Sequence, residues 1–155
     1  MDTRTMPSAT HYDIKKLLIE YFKQVDFKNP YAVTFTMIHK QWRDFNQNFR
    51  HFLNRLNQRI YGKSCRRYGN KITVIPIIEG TTTIRPHYHA VIDNPLIDRE
   101  AEFRQNVIEC WSKTELALPQ LHLTQMTDEG WIDYIMKLRT KRNIFDSIDW
   151  DNVVI

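Results

Sequence analysis

Apolar residues recur along this chain with two periods, one helical and one strand-like. After a polar, aperiodic opening over residues 1–10, expected to be disordered, Ile14, Leu17, Leu18, Tyr21, Phe22 and Val25 return at helical spacing and predict an amphipathic helix, punctuated by Pro30. The run YAVTFTMI (31–38) is β-branched and aromatic and predicts a first strand. Phe45, Phe49, Phe52, Leu53, Leu56 and Ile60 then form a 3.6-residue stripe closed by Gly62, a second helix. A basic loop leads to KITVIPIIE (71–79), a second strand in which Pro76, unable to donate to a ladder, calls for a sheet edge or a bulge. The turn over 80–86 is short, so HYHAVID (87–93) is expected to return as the third strand of an antiparallel hairpin. Asp98 reads as an N-cap with Glu100 and Glu102 in the first turn of a helix carrying Phe103, Val107, Cys110 and Trp111 on one face. Pro119 precedes a fourth strand, LHLTQM (121–126), and Thr127, Asp128 and Glu129 open a helix running to about Lys141. The closing stretch RNIFDSIDWDNVVI has apolar residues without a clear period and is left unassigned.

The order is a helix, then β-α-β-β-α-β, then a helix. Its middle six elements have the order of the ferredoxin-like α+β superfold, an antiparallel sheet with helices packed on one face, here with an added N-terminal helix and a C-terminal tyrosine-bearing helix. A length of 155 residues suits one domain, expected over 11–141, with 142–155 as a tail of uncertain structure. Only four glycines occur, and neither GxxxxGK[ST] nor GxGxxG is present, which excludes a self-contained P-loop ATPase. Cys65 and Cys110 stand far apart, against a zinc ribbon or disulfide framework, and the absence of an apolar run of membrane length or a signal peptide points to a reducing, cytoplasmic setting.

Chemistry enters at the hairpin. Alternate strand residues share a face, so His87 and His89 lie ~6.6 Å apart on one side while Tyr88 points to the other. Two imidazoles on a strand are usually just polar residues on a solvated face; with a third ligand they could hold one divalent cation. Glu79, ending the partner strand, and Asp93, on the same face, both offer a carboxylate, which would favour Mg²⁺ or Mn²⁺, the imidazoles tolerating Mn²⁺ better. On the last helix Tyr134 stands one turn before Lys137, a pairing that is common on amphipathic helices and meaningful only beside the other groups.

Charge sharpens the picture. The formal excess is only +4, yet between Phe45 and Ile78 lie seven basic residues, Arg50, Arg55, Arg59, Lys63, Arg66, Arg67 and Lys71, and no Asp or Glu. Tyr61 and Tyr68 interleave with these cations and offer base-stacking surfaces beside phosphate contacts, although a solvated helix face and loop would look the same. Lys137, Arg139, Lys141 and Arg142 form a second cluster beside Tyr134.

VTFTMI with Phe35 and Thr36, then PHYHAVI with His87, Tyr88 and His89 just after Glu79, then YIMK with Tyr134 and Lys137, resemble in order and spacing the three motifs of the HUH endonucleases, specifically the single-tyrosine rolling-circle replication initiators. Tyr88 departs from the family pattern by being bulky and partly polar at the hydrophobic position. The resemblance, over about residues 31–141, implies a site-specific nickase and strand transferase. Tyr134 would attack the scissile phosphate of single-stranded origin DNA in a stem-loop and form a 5′-phosphotyrosyl bond. The released 3′-hydroxyl would feed a host polymerase, with a separate helicase as a further partner. It implies Glu79, His87 and His89 as ligands of Mn²⁺ or Mg²⁺, and Lys137 as the residue that steadies the phosphate or activates the tyrosine. DNA contacts are expected from Arg55, Arg59, Lys63, Arg66, Arg67, Tyr68, Lys71 and Lys141. Alternatives are a single-tyrosine transposase or relaxase domain, in the first of which the third ligand comes from the tyrosine helix, and a non-catalytic single-strand-binding module, although nothing here matches RNP1. A closed structural metal site is disfavoured on an open hairpin.

Overall fold

The computed structural model describes residues 11–80, 85–136 and 144–155. The element order is α1 (His11–Phe22), β1 (Pro30–Met37), α2 (Trp42–Tyr61), α3 (Ser64–Arg67), β2 (Val74–Glu79), β3 (His87–Asp93), α4 (Glu100–Ser112), β4 (Ala117–Gln125), α5 (Gly130–Ile135) and α6 (Ile144–Ser147). The four strands form one sheet in the order β2-β3-β1-β4, antiparallel throughout, consistent with the ferredoxin-like fold.

Strand alternation sorts the side chains into two cores. Tyr31, Val33, Phe35 and Met37 of β1, with Tyr88, Ala90 and Ile92 of β3, face α2 and α4 and pack on Phe49, Phe52, Phe103 and Trp111. Phe35 lies 4.9 Å from Phe52 and 4.7 Å from Trp111, centroid to centroid. Burying each such ring contributes roughly 1.5–3 kcal/mol. On the opposite face Ile75, Ile77 and Val91 pack with Leu18 and Phe22 of α1, Trp131, Ile132 and Ile135 of α5, and Ile148. These two helices cover the β2–β3 side, whereas β4 leaves His122 and Thr124 exposed on that face.

Several boundaries differ from those the sequence predicts, each for a local reason. Before β2, the Ile72 N–H donates to Asn57 Oδ1 of α2 (2.8 Å) and the strand begins only at Val74. Asp98 does not cap α4; it occupies the left-handed region (φ 61°), tolerated by Asp, and Arg99 takes the cap position. β4 starts four residues early, at Ala117, because a bulge opposite Thr36 accommodates Pro119 on an edge strand. The last helix begins at Gly130, since Asp128 Oδ1 first takes the Gly130 N–H (2.7 Å) in an Asx turn, and its described part ends at Ile135. The remainder expected up to Lys141 lies outside the described residues, as do residues 1–10. Among the described residues no helix is long and apolar enough to cross a membrane.

Pro76 does sit on an edge strand, and the unassigned C-terminal stretch covers that edge. Val74 and Val154 exchange N–H···O bonds of 2.8 and 2.9 Å, and the Asp149 N–H donates to the Pro76 carbonyl (3.0 Å). Ile148 enters one core while Asp149 reaches the other face. There its carboxylate, 2% exposed, accepts from Tyr88 Oη (2.8 Å), Asn46 Nδ2 (2.6 Å) and Asn152 Nδ2 (2.7 Å). The phenol at the family's hydrophobic position therefore has a partner, and its ring stacks on Phe49 at 4.3 Å.

Tyr88→Phe removes one donor from that buried carboxylate and is expected to cost about 1–3 kcal/mol in denaturant unfolding. Burial holds the Asp149 carboxyl above its ordinary value of 3.8 despite its three donors. A raised folded-state pKa means the folded chain binds more protons, so this group's contribution falls as pH rises through the window above 3.8. The stability difference between wild type and Asp149→Asn is expected to shift toward the Asn variant between about pH 4 and neutrality. A pH-independent difference would contradict it.

Candidate metal centre and tyrosine

Antiparallel register builds the site. Glu79 of β2 stands directly opposite His87 of β3, and on the other flank Thr36 pairs with His87 and Thr34 with His89. The T-x-T of β1 thus lines up tooth for tooth with the H-x-H of β3, on the face carrying α5. His87 Nε2 and His89 Nε2 lie 3.0 Å apart, and Glu79 Oε2 is 3.4 Å from the first and 3.3 Å from the second. The side chains are partly buried, Glu79 at 9%, His87 at 20% and His89 at 22% exposure, open enough for a ligand to approach.

These three residues could hold one metal ion, their ligand atoms all lying within 4.8 Å of one another. The donor set fits that role. Metal–ligand bonds of about 2.1 Å place donors about 3.0 Å apart at right angles and about 3.4 Å apart at tetrahedral angles, and the three separations span those values. The outer ring nitrogens support the same ligating nitrogens. His87 Nδ1 lies 2.9 Å from the Arg85 carbonyl, an acceptor that places the proton on Nδ1 and leaves Nε2 as the lone pair. His89 Nδ1 lies 2.7 Å from Tyr134 Oη and 3.1 Å from Thr34 Oγ1. One carboxylate among two imidazoles suits Mn²⁺ or another borderline divalent ion by its chemistry.

Asp93, the competing third ligand, is excluded by position. It ends β3 opposite Pro30, and its Oδ1 accepts the Asn29 N–H at 2.6 Å. Six residues of strand, ~20 Å, separate it from His87.

Tyr134 reaches the centre because α5 packs Trp131, Ile132 and Ile135 into the second core, which turns the next side of the helix to the sheet. Its hydroxyl lies 2.8 Å from Thr34 Oγ1 and against His89. Burial pushes its phenol above the ordinary value, the Glu79 charge adds to this, and the Thr34 hydrogen bond pulls the other way. Lys137 and Lys141 lie outside the described residues.

The basic stretch is placed elsewhere. Arg55 and Arg59 are exposed on α2, which packs on the sheet face opposite the triad, and Arg59 is ion-paired with Glu109 of α4. Lys63, Arg66, Arg67, Tyr68 and Lys71 are exposed around α3, before the beginning of β2, whereas Glu79 is at its end. Arg67 lies 6.0 Å from the Tyr68 ring. None of them joins the triad.

Motif spacing singles out Phe35 and Thr36 and passes over Thr34. The signal for Thr34 lies in the pairing of two alternating patterns, T-x-T and H-x-H, whose register only the folded sheet reveals. Gly80 is a second such position. At φ 147° it follows Glu79 directly, and a Cβ there would come within 2.6 Å of Pro86 Cα. Gly80→Ala is expected to cost roughly 1–3 kcal/mol and to weaken metal binding by displacing Glu79, measured by unfolding and Mn²⁺ titration.

Among known protein families, the profile of the replication-associated protein ORF2 family matches residues 30–143. The chain belongs to that family. The matched span runs from the first residue of β1 past α5 and contains Glu79, His87, His89 and Tyr134. A replication-associated family is in keeping with a role in replication initiation and with a single-stranded DNA partner. No curated protein and no solved structure matches the chain significantly.

Proposed function

We propose that this protein is a metal-dependent nickase and strand transferase of the HUH type, which initiates rolling-circle replication on single-stranded origin DNA. The observation that carries the reading is the Tyr134 hydroxyl seated 2.7 Å from the outer nitrogen of His89, whose inner nitrogen belongs to the Glu79–His87–His89 cluster. A nucleophile and a cation site then address one phosphate.

A divalent ion on Glu79, His87 and His89 would polarise the scissile phosphate and orient it. Tyr134 Oη attacks phosphorus, the P–O3′ bond breaks, and the DNA 5′ end remains on the tyrosine. The phenolic proton is lost to solvent or a base, and the leaving 3′ oxygen gains one, ending as a hydroxyl that a polymerase can extend. One phosphodiester replaces another, so the same site can rejoin ends without ATP, in keeping with a sequence that has no P-loop. Lys137, one turn after Tyr134, steadies the transferring phosphate. The third carboxylate comes from β2 and not from α5, which favours a replication initiator over a single-tyrosine transposase. Arg66, Arg67 and Lys71 with Tyr68, far from the triad, and Arg55, Arg59, Lys63 and Lys141 contact flanking DNA.

The test is strand exchange. Incubation of the protein and Mn²⁺ with a labelled stem-loop library of randomised loop sequence is expected to give cut strands with extendable 3′ ends and, on adding an acceptor oligonucleotide, joined products without ATP. Salt-dependent binding of single strands without any cut product would contradict the reading and favour a binding module.

A further inference from the structure

We propose that Thr34 is a positioning residue that locks the Tyr134 nucleophile and the His89 ligand into one geometry. This rests on the proposed strand-transfer reaction and adds to it a residue outside the three motifs.

The two histidines are held in different ways. His87 is oriented by a backbone carbonyl, that of Arg85, so its support does not depend on any neighbouring side chain. His89 is oriented by two hydroxyls from two different elements, Thr34 of β1 and Tyr134 of α5. Those hydroxyls also bond each other at 2.8 Å, which closes a triangle of Oγ1, Oη and Nδ1. Two sides of that triangle belong to the nucleophile, and the third ties the ligand to the sheet.

Thr34 is the rigid corner. Its backbone is clamped on both flanks in an inner strand, facing His89 in β3 and His122 in β4. A β-branched side chain in a strand has few χ1 wells, so the position of Oγ1 is set by the backbone. Tyr134, by contrast, extends a long side chain from a helix of six residues. Without the threonine hydroxyl, Tyr134 and His89 can still bond each other, but the pair is no longer referenced to the sheet that carries Glu79 and His87. Displacement of a nucleophile by ~1 Å costs about 100-fold in rate, and loss of an outer partner of a ligating histidine about 10- to 100-fold in metal affinity.

Thr34→Val keeps shape and β-branching and removes only the hydroxyl; Thr34→Ser restores it. With the stem-loop library, Thr34→Val is expected to lower kcat for nicking about 10- to 100-fold with KM unchanged. Calorimetry with Mn²⁺ alone is expected to show about 10-fold weaker binding. Thr34→Ser should return both to near wild type, and the unfolding midpoints of all three should agree. If wild type nicks and Thr34→Val nicks with the same kcat, the positioning role is overturned while the proposed function stands. Equal impairment of Val and Ser variants also overturns it, since the hydroxyl is then not the cause. If wild type cuts nothing, the proposed function fails, and unaltered Mn²⁺ affinity in Thr34→Val removes Thr34 from the support of His89 as well.

Discussion

Tyr134→Phe is expected to abolish the covalent protein–DNA product and to reduce nicking by at least about 1,000-fold, because it removes the attacking atom itself and no other group stands in the same place. The substitution is mild for the fold. The ring packs at the margin of the α1–α5 core and is retained; only the hydrogen bonds to Thr34 and His89 are lost. Their removal is worth about 1–3 kcal/mol, well within what a domain of this size tolerates. Oligonucleotide binding and Mn²⁺ binding should therefore persist in the inactive variant, measured by fluorescence anisotropy and calorimetry. The other phenol beside the histidines is no substitute. Tyr88 points through the opposite face to Asp149, and burial together with that carboxylate pushes it well above its ordinary range. An adduct that survives Tyr134→Phe would move the nucleophile elsewhere.

Glu79→Ala should produce the second large effect, a loss of about 100-fold or more in nicking at a fixed low Mn²⁺ concentration, partly restored by raising it. The carboxylate is the single hard, anionic donor of the cluster, so the two imidazoles left behind retain Mn²⁺ better than Mg²⁺, and Mg²⁺-supported activity should fall further. Chelation should silence the wild-type protein in the same way without unfolding it, because β2 and β3 are held by both cores and by the C-terminal segment rather than by the ion. Protons compete with the ion for both imidazoles, so acidification should raise the Mn²⁺ concentration needed for half-maximal rate. An unchanged Mn²⁺ titration in Glu79→Ala would remove it from the ligand set.

Much of this site is legible in the amino-acid sequence, for identifiable reasons. Period-two alternation puts His87 and His89 on one face and Tyr88 on the other, and a short connection makes β2 and β3 a hairpin, which suffices to bring Glu79 beside His87. Pro76 marks the edge strand because its missing N–H is a local fact. What the sequence hides depends on contacts between distant segments. The C-terminal stretch has no period because it crosses a sheet edge, sending Ile148 to one core and Asp149 to the other. Asp93 shares a face with the histidines, but face alone does not measure distance along a strand. The start of the tyrosine helix is ambiguous in sequence because Asp128 suits an Asx turn as well as a helix N-terminus. A run of cations records composition, not direction, and the fold puts Arg55 and Arg59 behind the sheet.

The central claim is that Tyr134 is the atom donor to the DNA 5′ end, and mass spectrometry of the DNA-linked peptide tests it most directly. Trypsin acting on the adduct, after nuclease trimming, should yield the peptide Thr114–Lys137, in which Tyr134 is the single tyrosine. The account predicts that this peptide carries a nucleotide through a 5′-phosphate on Tyr134. Nucleotide found on any other residue, or cut DNA whose 5′ ends are free phosphates with no peptide modified, would contradict it.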